Sequence, residues 1–127
     1  MRLRLISLVA VIAALVASTV AFASTRASSV VVVPVKITAT LREYSITFNH
    51  PSVVKGKTTK TVVFTVKNAG AVAHNIDFVG LGKRTAILAP GAKATLKITF
   101  KKKGTIQVVC DVPRHIQLGM VTTFKVK

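Results

Sequence analysis

Residues 110–120, Cys-Asp-Val-Pro-Arg-His-Ile-Gln-Leu-Gly-Met, place a thiol, an imidazole and a thioether at the spacing C-x4-H-x4-M. A second imidazole, that of His74, lies upstream in Ala-Val-Ala-His-Asn-Ile. Two imidazoles and a thiolate with a weak axial thioether form a donor set that suits copper. Zinc also binds Cys and His, but it collects three or four strong ligands and gains little from a methionine sulfur. The pattern therefore predicts one copper ion bound by His74, Cys110, His115 and Met120.

Each of these side chains has an ordinary structural alternative when it is considered alone. Cys110 is the only cysteine, so the chain can form no internal disulfide. A lone cysteine commonly packs as a small hydrophobe, and a lone methionine commonly fills a gap in a core. A lone histidine such as His74 is commonly a half-buried residue without a metal. The joint spacing of Cys110, His115 and Met120 favours the metal site over these alternatives.

From Val35 onward the chain consists of short segments rich in Val, Ile, Thr and Phe, separated by Gly, Pro, Asn and Lys. Apolar and polar residues alternate most clearly in residues 61–66 and 95–100, as in strands with one buried face. This pattern predicts an all-β fold, an antiparallel sandwich or barrel of about eight strands. The predicted strands cover residues 35–41, 44–49, 60–67, 74–79, 85–88, 92–100, 105–110 and 120–126.

These strands predict how the site is assembled. Cys110 ends one strand and Met120 begins the next, so the loop between them presents its ligands to one point, while His74 comes from a separate strand. A folded sandwich then holds the ligands rigidly. Pro113 stiffens the loop, and Gly119 permits a close approach just before Met120. Tyr44 and the phenylalanines are expected in the core.

The N-terminal part of the chain has the pattern of an export signal. Arg2 and Arg4 precede an apolar run from about Leu5 to Phe22, and Ala21-Phe22-Ala23 supplies small residues at the positions that a signal peptidase reads. We predict a signal peptide over residues 1–23, a linker or leading edge strand over 24–34, and one domain over 35–127. The protein is then periplasmic, cell-surface or secreted. The alternative is an uncleaved N-terminal membrane anchor, since the run approaches the length of a bilayer span.

The chain contains four patterns that belong together: Asn68-x-Gly70-x-x-x-His74-Asn75, Ala89-Pro90-Gly91, Gly104-Thr105, and the loop from Cys110 to Gly119-Met120. With these patterns the chain resembles the cupredoxin family of small type 1 (blue) copper proteins, such as plastocyanin, auracyanin and azurin. The resemblance implies a Greek-key β-sandwich of eight strands and one-electron transfer. It also implies that Asn75 braces the sulfur of Cys110 through hydrogen bonds.

The chain departs from the family pattern in the ligand loop. Relatives usually carry glycine before the loop histidine, where this chain has Arg114, and they place aromatic residues before the cysteine, where residues 106–109 are Ile-Gln-Val-Val. His115, flanked by Pro113, Ile116 and Leu118, is predicted to be the electron port, because an apolar patch allows close docking without desolvation of charge. Arg114 would place a positive charge at its rim, unless it is a solvated residue paired with Asp111. Asp111 is expected either to cap the loop or to form that pair.

The composition indicates anionic partners. The formal net charge is +16, with 19 Lys and Arg against 3 Asp and Glu, which raises the local concentration of anionic partners and makes their encounter salt-dependent. The predicted partners are acidic redox proteins. The protein itself is expected to be a monomer. Nucleic acid is not expected, because the charges are scattered and an exported protein rarely meets DNA. Contact with a membrane would occur through an uncleaved N-terminus of the protein or through attraction of the basic protein to an anionic surface.

The predicted function is that of an exported electron carrier with no enzymatic activity. A copper carrier or buffer that holds Cu(I) without redox cycling is the alternative, since the same ligands would serve it. A copper oxidase or nitrite reductase would need further histidine clusters, and His50 is the only histidine left over. A metal-free structural module is opposed by the intact ligand set.

Overall fold

The structure of the protein is a computed structural model, and it describes residues 33–56 and 59–127. The predicted signal peptide and residues 24–32 of the predicted linker lie outside the described residues, and Val33 and Pro34 are not in a strand. Within the described ranges no helix is long and apolar enough to cross a membrane. The strands are β1 (Val35–Arg42), β2 (Ser45–Phe48), β3 (Ser52–Val53), β4 (Lys60–Asn68), β5 (Asp77–Phe78), β6 (Lys83–Arg84), β7 (Lys93–Phe100), β8 (Gly104–Val109) and β9 (Val121–Val126).

The strands form two sheets. One has the order β2-β1-β4-β7 and the other the order β3-β9-β8-β5-β6. Most neighbours are antiparallel, as predicted, but β1 pairs with β4 and β3 pairs with β9 in parallel. The prediction of a purely antiparallel fold is therefore wrong for these two pairs, because side-chain alternation reveals which residues are strands and not which strand lies beside which.

The alternation in the sequence becomes the two faces of each strand. In β4 the side chains of Val62, Phe64 and Val66 are fully buried, whereas Thr65 and Lys67 are exposed. Aromatic rings join the two sheets across the core: Phe64 of β4 lies edge-on to Phe124 of β9, with ring centroids 5.2 Å apart. Burial of each such ring stabilises the fold by about 1.5–3 kcal/mol relative to exposure. The predicted all-β sandwich is confirmed.

The segment between β4 and β7 differs most from the predicted strands. Only Asp77–Phe78 of the predicted strand 74–79 is in a strand, and His74 instead forms an isolated antiparallel bridge with Leu88. The predicted strand 85–88 is wrong, since the pairing residues are Lys83–Arg84. The hydroxyl of Thr85 accepts a hydrogen bond from the amide of Ile76 at 3.3 Å. The amide of Thr85 donates in return to the carbonyl of Ile76 at 3.0 Å, so the two segments stay joined although residues 85–87 form no regular strand.

Candidate metal centre

Three donor side chains meet at one end of the sandwich. The imidazoles of His74 and His115 and the sulfur of Cys110 have ligand atoms within 4.8 Å of one another, and all three residues are buried. The two Nδ1 atoms lie 3.2 Å apart, and the Nδ1 of His115 lies 3.4 Å from the sulfur. The sequence placed two of these residues in one loop and the third on another element, and the fold brings all three together.

Backbone hydrogen bonds within the ligand loop fix the relative positions of its three ligand residues. Cys110 directly follows β8 and Met120 directly precedes β9, so each lies one residue outside the strand that it was predicted to end or begin. The amide of Cys110 donates to the carbonyl of Met120 at 3.2 Å, and the amide of Met120 donates to the carbonyl of His115 at 2.9 Å. Met120 is fully buried, so its thioether lies inside the fold, where the two ends of the loop meet.

A buried asparagine fixes the approach to His74. Asn68, the last residue of β4, donates from its amide to the carbonyls of Val72 and Leu88, both at 2.8 Å. Its oxygen accepts the amide of Gly70 at 2.9 Å. These bonds satisfy an otherwise costly buried amide and fix the turn that leads to His74.

Asn75 links the two halves of the site. Its backbone amide donates to the sulfur of Cys110 at 3.4 Å, the contact that the family resemblance implies. Its side chain bonds Asp111 instead: the amide of Asp111 donates to Asn75 Oδ1 at 2.9 Å, and Asn75 Nδ2 donates back to the carboxylate. The other carboxylate oxygen accepts from Arg84 at 3.0 Å. Of the two roles expected for Asp111, the pair with Arg114 is therefore not formed, and the carboxylate pairs with Arg84 of β6 instead.

Burial keeps the loop imidazole in the form that binds metal. Burial lowers the pKa of His115, and the nearby His74 imidazole lowers it further. Since the ordinary pKa of histidine is about 6.5, His115 is neutral at pH 7 and its Nδ1 can present a lone pair. His115 retains 9% of its surface exposed, whereas His74 has none, so His115 is the imidazole closer to solvent.

The surroundings of His115 match the predicted port in composition. Ile116 and Leu118 are 44% and 50% exposed, and Pro113 and Arg114 are exposed as well. Arg114 has a φ of 71°, in the left-handed region that side chains other than glycine rarely adopt. The backbone geometry thus explains why relatives usually have glycine at this position. Arginine adopts the same conformation here, although its side chain disfavours it.

Two consecutive residues of the turn between β1 and β2 contact the two histidines. Tyr44, expected in the core, is 37% exposed, and its ring lies edge-on to the ring of His115 with centroids 5.1 Å apart. The carboxylate of Glu43 lies 3.5 Å from Nε2 of His74. Sequence reasoning did not single out Glu43 as a site residue. The sequence does contain one signal for Glu43, because an acidic residue is unusual in a chain that has only 3 of them.

The arrangement of His74, Cys110, His115 and Met120 fits one copper ion. The donor set combines soft sulfur with two imidazoles in a buried pocket, which is what copper prefers. Nε2 of His74 is buried and has no hydrogen-bond partner among the described residues. A histidine that binds a metal through Nδ1 must carry its proton on Nε2, and here that atom points toward the Glu43 carboxylate.

Comparison with known proteins agrees with this site. Residues 7–123 match the family model of the cupredoxin-like domain, and the chain therefore belongs to the cupredoxin-like family. The predicted cupredoxin-like class is thereby confirmed. No curated protein sequence matches the chain at a significant level.

Solved structures with the same fold include small proteins that the match covers almost completely and a larger one that it covers only in part. The structure resembles dithionite-reduced auracyanin from Roseiflexus castenholzii, with a TM-score of 0.56 and 20% identity, over 74% of this chain and 96% of that one. It resembles auracyanin B with a TM-score of 0.57 and 19% identity, over 74% and 88% of the two chains. It also resembles the blue copper oxidase from Nitrosomonas europaea, with a TM-score of 0.59 and 17% identity, over 75% of this chain but 39% of that enzyme.

Proposed function

We propose that the protein is an exported electron carrier that transfers single electrons between redox partners through one type 1 copper. When bound, copper supplies the one-electron couple between Cu(II) and Cu(I). The observation that carries the proposal is the buried convergence of His74, Cys110 and His115 within 4.8 Å. These would be the equatorial ligands, and Met120 the weak axial one.

The way the ligands are held supports electron transfer over catalysis. His74 belongs to the segment after β4, whereas Cys110 and His115 belong to the loop between β8 and β9. The Asn75 bonds to Cys110 and Asp111 tie these two segments together. A donor set fixed by separate elements changes little when one electron is added or removed. Small rearrangement of that kind favours fast transfer and leaves little room for a substrate.

His115 is the proposed point of electron exit and entry. It is the more exposed of the two histidines, and Ile116, Leu118 and Tyr44 offer partly exposed apolar surface beside it in the chain or in space. Arg114 adds a positive charge next to this apolar surface, and Arg84 on β6 is exposed and contacts Asp111. Lys83, the other residue of β6, is exposed as well. The proposed partners are acidic redox proteins, whose encounter would be steered by charge and weakened by salt.

A copper carrier that binds Cu(I) without redox cycling is the second candidate, because thiolate and thioether ligands also select Cu(I). Protein-film voltammetry of the copper-loaded chain separates the two. An electron carrier gives a reversible one-electron wave and releases copper to a Cu(I) chelator slowly. Rapid release to the chelator together with no reversible wave would instead identify a copper carrier.

A further inference from the structure

The carboxylate of Glu43 is aimed at the outer nitrogen of a ligand histidine from an element that supplies no ligand. Glu43 Oε1 lies 3.5 Å from His74 Nε2, and this buried nitrogen has no other partner among the described residues. His74 is fully buried, so water does not reach the nitrogen in place of the carboxylate. An unpaired buried N–H costs free energy, and an anionic acceptor within reach relieves that cost.

Glu43 is held in this place by the loop that precedes His74. Its Oε1 accepts the amide of Ala71 at 2.5 Å and the amide of Val72 at 3.0 Å. These two amide donors favour the charged carboxylate over the neutral acid. A Cβ built at Gly70 would collide with the carboxylate. The loop therefore has a carboxylate-sized recess only because residue 70 is glycine.

On the basis of the proposed function, we propose that Glu43 is a positioning residue for the copper site, which accepts the Nε2 proton of His74 and lowers the reduction potential. The bond would fix the tautomer in which Nδ1 of His74 is free to bind the metal. A negative charge on the far side of the imidazole favours the more positively charged Cu(II) over Cu(I). The turn between β1 and β2 thus contributes to the redox properties without supplying a ligand.

The first test is the reduction potential of the copper-loaded Glu43→Gln variant. Glutamine keeps an oxygen that can accept the Ala71 and Val72 amides, and it removes the charge. We expect the ratio of Cu(I) to Cu(II) at a fixed applied potential to rise on the order of fivefold. Asp77→Asn on β5 is the matched control, because it removes the same charge from a residue outside these contacts, and it should change the ratio by less than twofold.

A second variant displaces the carboxylate without removing it. In Gly70→Ala the added methyl group must push Glu43 away from the loop, so the ratio should rise in the same direction although the net charge is unchanged. Nitrogen NMR of the diamagnetic Cu(I) form provides a readout of geometry. His74 Nε2 should appear protonated in the wild type, and its proton should exchange faster with water in both variants.

The outcomes separate this inference from the proposed function. Copper uptake with an unchanged potential in both Glu43→Gln and Gly70→Ala would overturn the role of Glu43 alone. An equal shift in Asp77→Asn would also overturn it, because the effect would then be general electrostatics. A wild-type protein that takes up no copper would overturn both. If Glu43→Gln does not fold, the Gly70→Ala result decides.

Discussion

The amide of Asp111 donates a 2.9 Å hydrogen bond to the side-chain oxygen of Asn75, which joins the residue after one ligand to the residue after another. Asn75 follows His74, and Asp111 follows Cys110. The spacing of the two ligands therefore depends on an amide side chain that cannot itself bind the metal. The stiffness of the site resides in this pair as much as in the ligands.

Replacement of Asn75 by alanine should loosen the site more than it harms the fold. We expect Asn75→Ala to reduce the free energy of unfolding of the metal-free protein by about 1–3 kcal/mol, because it removes two partly buried hydrogen bonds to Asp111. The absorption band of the copper form should broaden and the potential should change. Denaturant unfolding and a visible spectrum measure the two effects.

Asn49→Ala is the control for this experiment. The side-chain oxygen of Asn49 accepts a hydrogen bond from the amide of Thr38 at 2.8 Å, at an exposed position. This substitution therefore also removes a hydrogen bond between an asparagine side chain and a backbone amide. It should cost less than about 1 kcal/mol and leave the copper spectrum unchanged. Equal spectral changes in the two variants would contradict the special role of Asn75.

Met120 should tune the site rather than create it. A thioether sulfur would hold copper only weakly, so Met120→Gln is expected to retain copper and to lower the potential, because a harder oxygen donor stabilises Cu(II) relative to Cu(I). Met120→Leu removes the sulfur at similar volume and should not lower the potential. Copper content and voltammetry of both variants check this. Complete loss of copper in Met120→Gln would indicate a tetrahedral site in which the fourth ligand is strong.

Arg114 combines a charge with an unusual backbone conformation, and two variants separate the effects. Arg114→Gly removes the charge and suits a φ of 71°, whereas Arg114→Gln removes the charge and keeps a side chain there. Both should lower the potential modestly, because solvent screens the charge. Both should also slow electron transfer to an acidic partner and weaken its salt dependence. Only Arg114→Gly should stabilise the protein, by about 1 kcal/mol over Arg114→Gln.

Unchanged potential and an unchanged salt dependence in both Arg114 variants would leave the arginine without a role in electron transfer. A gain in stability in Arg114→Gly alone would then show that only the backbone matters at this position. Stopped-flow transfer to an acidic redox protein at several salt concentrations provides the rates.

Export should remove about the first 23 residues, as the small residues at Ala21 and Ala23 predict. The intact mass of protein recovered from the exported fraction of a bacterial host measures this directly. We expect a chain that begins near Ser24. Retention of Met1 to Ala23 on protein found in the membrane fraction would favour an N-terminal anchor.

The sequence predicted the longer strands and the ligand set because both are local patterns. The alternation in β4 and the spacing from Cys110 to Met120 need no knowledge of the partner strands. The parallel pairing of β1 with β4 and the approach of Glu43 and Tyr44 to the histidines depend on contacts between distant segments. No local pattern encodes such contacts, and for the same reason the pair of Asp111 with Arg84 was not among the two roles expected for Asp111. The two-residue strands β3 and β6 were missed because they are too short to show a period.

The most direct test of the central claim is the visible absorption spectrum of the copper-loaded protein under an oxidant, beside that of Cys110→Ser. Type 1 copper predicts one copper per chain and an intense band from charge transfer between the Cys110 thiolate and Cu(II). In Cys110→Ser the band should vanish while the circular dichroism of the β fold remains. A wild-type protein that binds copper but stays colourless under oxidant would contradict the type 1 assignment.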